Sequence, residues 1–111
     1  MRRLSCDQDE FDPPESEQSL ELAISSPSRR QPNLAALLIA CGASVCNGAP
    51  PPTGWHRWQT IANHLRRFAA VDLPHPTQLR EAMLLRDDWN DVELGVAVGS
   101  LLIWYHWSTT A

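Results

Sequence analysis

The 111-residue chain has no lysine: all nine of its basic residues are arginine, and thirteen acids outnumber them for a net charge of −4. Nor are those arginines gathered into the basic stripe that a nucleic-acid footprint needs, which excludes nucleic acid as the expected partner. Long apolar runs are missing too. None approaches the ~18 residues of a membrane span, and the stretch after Arg2 and Arg3 is acidic and proline-containing, unlike a secretory leader. Cysteine is scarce: Cys6, Cys41 and Cys46 are odd in number and lack paired spacing, so a disulfide framework is not indicated and a reducing, cytoplasmic setting is expected. The chain has no P-loop, no GxSxG and no HExxH. His56, His64, His75 and His106 do not stand at zinc spacing with one another or with the cysteines, and no cofactor or metal is expected. Cys46 beside His56 or His64 lacks an oxyanion-type glycine loop, so catalysis is not expected either.

What the chain does contain is unevenly distributed. Residues 1–21 carry Asp7, Asp9, Glu10, Asp12, Glu15, Glu17 and Glu21 against Arg2 and Arg3, while the remainder is near neutral. Residues 1–17, rich in acids, serine and proline, are expected to be a disordered acidic arm. Asn33 to Val45 (NLAALLIACGASV) holds no charge, and Leu34, Leu37, Leu38 and Cys41 fall on one helical stripe. Gly42 follows where a helix ends in a left-handed residue. That helix is expected to be covered on more than one side, with Cys41 a small core residue.

The run Leu37 to Val45 resembles the second helix and exit of an ankyrin repeat, LLLxxGAxVN, and Ser19-Leu-Glu-Leu-Ala23 is similar to that family's first-helix opening. The resemblance covers about residues 18–49. It implies an all-α fold: a short ankyrin-like helical hairpin stack, a proline-rich spacer at 50–54, and a helical C-terminal region at 55–111. About three repeats are needed for an independent stack. One repeat and a degraded successor therefore read as a terminal or truncated piece, completed by the C-terminal helices, a partner or self-association.

Further on, Trp55, Trp58, Ile61, Leu65 and Phe68 keep helical spacing, and Thr77 is placed to cap a helix over Gln78 to Arg86. Leu73-Pro-His-Pro76 through Leu84 also resembles the end of a SOCS box, although Ala82 stands where that family has tyrosine and Leu65 where the preceding helix has cysteine. Asp87-Asp88-Trp89-Asn90-Asp91 spells DDxxD, the Mg²⁺-holding pattern of isoprenoid synthases, but a second metal motif and the necessary length are both missing. The acids are instead expected to favour a helix N-terminus. Val92 to Trp107 is nearly all apolar. Gly95 and Gly99 suit close helix packing, whereas Val92, Leu94, Val96 and Val98 alternate as in a strand. The helical reading is preferred through about Ile103, and the aromatic end at Trp104, Tyr105 and Trp107 is the candidate sticky surface, expected to complete the core, to contact a partner or a second copy, or to touch a membrane surface, in that order.

The expected function is a non-catalytic protein–protein interaction module or adaptor of ankyrin-repeat type, whose partner is another protein. The resemblance implies partner binding through Ser44, Asn47, Trp55, His56 and Trp58. The alternatives are a small helical chaperone for an aggregation-prone partner and, from the SOCS-box-like segment, a ubiquitin-ligase substrate adaptor.

Overall fold

The computed structural model describes residues 1–7, 18–43, 58–73 and 75–109. Their elements are strands β1 (Arg2–Asp7) and β2 (Gln18–Ser25), helices α1 (Leu34–Ala40) and α2 (Trp58–Ala69), and strands β3 (Leu79–Asp88), β4 (Asp91–Val98) and β5 (Leu101–Thr109). A single 3-10 turn, Pro76–Gln78, precedes β3. The strands form a five-stranded sheet in the order β1-β2-β5-β4-β3, every neighbouring pair antiparallel. Strands β3 to β5 are a meander, and β5 closes onto β2 of the N-terminal hairpin.

The period-two alternation of a strand puts successive side chains on opposite faces. On one face Leu20, Leu22 and Ile24 of β2, Val92, Leu94, Val96 and Val98 of β4, and Ile103 and Tyr105 of β5 meet Trp58, Ile61, Leu65 and Ala69 of α2. On the other, Ala23, Ala97, Leu102 and Trp104 meet Leu34, Leu37, Leu38 and Cys41 of α1. Leu20, Leu22, Leu37, Leu38, Leu65 and Ile103 are fully buried. Each such burial is worth about 1.5–3 kcal/mol, so the two helical layers are both principal contributors to stability.

Local chemistry sets the ends of the elements. Asn33 Oδ1 accepts the Ala36 N–H at 2.9 Å and caps α1, and Gly42 takes φ +77° just beyond it. In the β4–β5 hairpin, Gly99 adopts φ +56° at the first position of the two-residue Gly99-Ser100 turn. That conformation matches the twist of the flanking strands at no steric cost to glycine.

The fold is therefore not all-α, and neither the ankyrin-repeat nor the helical description fits it: a five-stranded antiparallel sheet dominates, with two α-helices among the described residues. The expected first repeat helix at 18–25 is strand β2, because Leu20, Leu22 and Ile24 alternate with Glu21 and Ala23 and enter a sheet core. The expected helix over 78–86 is the edge strand β3. Its good helix formers yield to pairing with β4, since tertiary context overrides weak local propensity. The expected helix over 92–103 is β4, a tight turn and β5, buried by helices on both faces so that both strands read as nearly continuous apolar runs. Arg2–Asp7, expected in a disordered arm, is a strand paired to β2; residues 8–17 lie outside the described residues. Helices α1 and α2 do form within the segments read as helical. Yet α1 is covered on one side only, with Ile39 67% exposed.

Candidate functional site

α1 covers only the half of its face nearest Ser25. There one cross-strand row runs Arg3, Ala23, Trp104, Gly95, Met83. Small neighbours give the Trp104 indole room to lie flat, and the Arg3 guanidinium reaches across Ala23 to sit 5.4 Å from the centre of the indole ring. Among the described residues no helix packs on the other half of this face. Its next rows are Ser5, Glu21, His106, Glu93, Arg86 and then Asp7, Ser19, Ser108, Asp91, Asp88.

These polar rows are tied together. His106 Nε2 lies 2.8 Å from Asp91 Oδ1, and its Nδ1 lies 3.8 Å from Glu21 Oε1. Arg86 donates to Asp91 Oδ2 at 2.7 Å, and Trp104 Nε1 donates to Glu93 Oε2 at 3.0 Å. Burial pushes the Asp91 carboxyl up. The hydrogen bonds from Arg86 and His106 outweigh that and hold it below the usual carboxylate range. The group forms a clamp across β2, β5 and β4. Asp91 thus engages one His106 ring nitrogen directly, and Glu21 stands near the other at more than hydrogen-bond distance.

Beyond the clamp, the β3–β4 hairpin carries Trp89 at its tip, 71% exposed. Most exposed positions elsewhere are polar or small, so a bare indole on a paired hairpin stands out. Charge is also unevenly placed along the strands. Asp7, Glu21, Asp87, Asp88, Asp91 and Glu93, with Arg86 among them, lie toward the Trp89 end, whereas Arg29, Arg30 and Arg80, with Glu81, lie toward the Ser25 end. Asp7 and Gln18, the end of β1 and the start of β2, also lie at the Trp89 end, and the sequence between them bears five more acids.

Two other polar features sit apart from this end. On the α2 face, His64 Nδ1 lies 2.9 Å from the Tyr105 hydroxyl, with the rings stacked at 5.9 Å. Burial, reinforced by the Arg67 charge, lowers the His64 pKa. The Cys41 thiol is pushed up by burial, only partly offset by Arg3, which makes it a poor nucleophile.

Of the residues expected to bind a partner, Ser44, Asn47, Trp55 and His56 lie outside the described residues, as does Cys46. Trp58 is 9% exposed at the start of α2 and contributes to the core. The aromatic end completes the core, the first of the roles expected for it, and is not an exposed sticky surface. Trp104 and Tyr105 are each 3% exposed, and Trp107, half-buried, donates through Nε1 to Gln18 Oε1 at 3.1 Å. The DDxxD run is the hairpin turn itself and not a helix start. Among the described residues no three His, Cys, Asp or Glu side chains are grouped to hold a metal, and no helix is long and apolar enough to cross a membrane. The sequence signal for these polar rows is alternation: Asp91 and Glu93 interleave with Val92 and Leu94, the strand pattern weighed against the helical one, just as His106 interleaves with Tyr105 and Trp107. No protein-family model, curated protein or solved structure matches the chain.

Proposed function

We propose that the chain is a non-catalytic protein-binding module that engages a basic surface of another protein through the hairpin end of its sheet, with Trp89 as the anchor. The observation that carries this reading is the 71% exposure of Trp89 at a turn whose flanking residues are pinned by the Asp88–Asp91 pair. Tryptophan is the side chain most enriched where a few residues supply most of a binding energy. A rigid turn presents it with little ordering cost. The surrounding carboxylates favour a cationic partner by steering its approach, and an arginine arriving over the indole gains a cation–π contact as well.

The reading is tested by capture from native lysate with wild type, Trp89→Ala and an Asp87→Ser/Asp88→Ser double variant, at low and high salt. Basic proteins should be held by wild type at low salt, released at high salt, and lost with both variants while circular dichroism stays unchanged. Equal capture by all three forms would sink the proposal.

A further inference from the structure

The opposite end of the sheet carries a second feature, independent of the Trp89 surface. A cavity of about 470 Å³, open on one side, is lined by Met1, Ser25, Ser26, Ser28, Arg30 and Gln31. No carboxylate lines it. Arg30 makes no ion pair or hydrogen bond among the described residues, and neither does its neighbour Arg29. The loop that presents them is closed on itself: Ser28 N–H donates to the Gln31 carbonyl at 2.9 Å, and Gln31 N–H donates to Ser28 Oγ at 3.1 Å. Pro27 and Pro32 limit the backbone on either side.

We propose that this cavity is a binding site for a phosphate-bearing oxyanion, with Arg30 as the charge partner and the Ser26 and Ser28 hydroxyls as hydrogen-bond donors. A guanidinium matches two oxygens of a phosphate at once, and serine hydroxyls rotate to donate to the others. An anion would give this exposed arginine, unpaired among the described residues, a charge partner. The chain's overall negative charge does not oppose it. The nearest acid of that end on the same strand, Glu21, is four residues from Ser25, about 13 Å at the strand rise of ~3.3 Å per residue. That is more than one screening length of about 8 Å at physiological salt.

The phosphate could belong to a free small molecule or to a lipid headgroup, and the two are separated by running both arms. In the first, ¹⁵N-labelled full chain is titrated with inorganic phosphate and, at matched ionic strength, with chloride. Saturable shifts at the amides of residues 25–31 with phosphate only are expected, weakened at least tenfold by Arg30→Gln and several-fold by Ser26→Ala, an exposed position that the fold does not need. In the second arm, sedimentation with phosphatidylcholine vesicles is compared with vesicles containing a phosphoinositide. Arg30-dependent binding to the phosphoinositide vesicles with no response to free phosphate assigns the site to the lipid source. Shifts that chloride reproduces, or binding in both arms that Arg30→Gln leaves unchanged, would overturn the proposal. Loss at this site leaves Trp89-dependent capture intact, so the two readings fail separately.

Discussion

Gly95 and Leu38 meet where β4 passes beneath α1, so closely that a Cβ on Gly95 would lie 2.7 Å from Leu38 Cδ2 and 3.1 Å from Leu34 Cδ1. Both leucines are fully buried and have little room to retreat. Gly95→Val should therefore destabilise the fold by about 1–3 kcal/mol, the usual cost of overpacking. Urea denaturation checks it. Leu38→Ala alone should cost about 2–5 kcal/mol through its cavity. In the double variant the valine partly fills that space, so the two costs should fall short of adding. Strict additivity would mean α1 does not bear on Gly95.

Ala70, immediately after α2, takes φ +53°, a left-handed conformation that a Cβ makes unfavourable by about 1–2 kcal/mol. Ala70→Gly removes that Cβ at an exposed position. It should stabilise the protein by up to about 1 kcal/mol, since glycine's greater freedom in the unfolded chain takes back part of the gain. A rise in Tm measured by calorimetry is the expected result, and a fall would place Ala70 outside the left-handed region.

Asp91, held below the usual carboxylate range by Arg86 and His106, contributes stability that is present above the ordinary carboxylate pKa near 3.8 and is lost as pH falls through its depressed folded value. The wild-type Tm should thus drop more steeply on acidification than that of Asp91→Asn, which has no such proton to take up. The Arg86 partner is half-exposed, so its removal alone should matter little, in keeping with surface ion pairs. Parallel acid limbs for wild type and Asp91→Asn would show that the clamp across β2, β5 and β4 is not carried by this carboxylate.

His64 is held neutral first by burial and then by Arg67. Its folded pKa is lower than the unfolded one, so its contribution is complete above about 6.5 and is lost as pH falls below that toward the folded value. NMR titration should place the His64 midpoint below 6.5, and Arg67→Gln should raise it. Tyr105→Phe, which removes the hydroxyl 2.9 Å from His64 Nδ1, should cost about 1 kcal/mol in stability, the net value of a typical hydrogen bond. An unmoved titration in Arg67→Gln would leave burial as the sole cause.

How much of this was legible differs from element to element. Helix α1 could be read directly, because Asn33, the stripe Leu34, Leu37, Leu38 and Cys41, and Gly42 all speak for the same local structure. For α2 the same agreement holds along Trp58, Ile61 and Leu65. The strands were obscured by being buried on both faces: in β5, Leu102 and Trp104 serve one core while Ile103 and Tyr105 serve the other, and no polar residue breaks the run. Gly99-Ser100 is a two-residue hairpin signal, yet four residues from Gly95 it reads equally well as a helix-packing strip. The polar clamp was out of reach for another reason. Glu21, Asp91 and His106 are brought together by strand register, a long-range property that no spacing along the chain encodes.

Because β5 lies between β2 and β4, the strand made latest among these five is the one that joins the N-terminal hairpin to the β3–β4 ribbon. Until Thr109 has emerged, β2 and β4 each expose a row of unpaired backbone groups, and the two ribbons share no ladder. Synthesis must therefore pass through β5 before the sheet exists. The same arrangement suits the molecule to division: a fragment ending before β5 offers a slot one strand wide, into which a separately supplied peptide of residues 101–109 would fit.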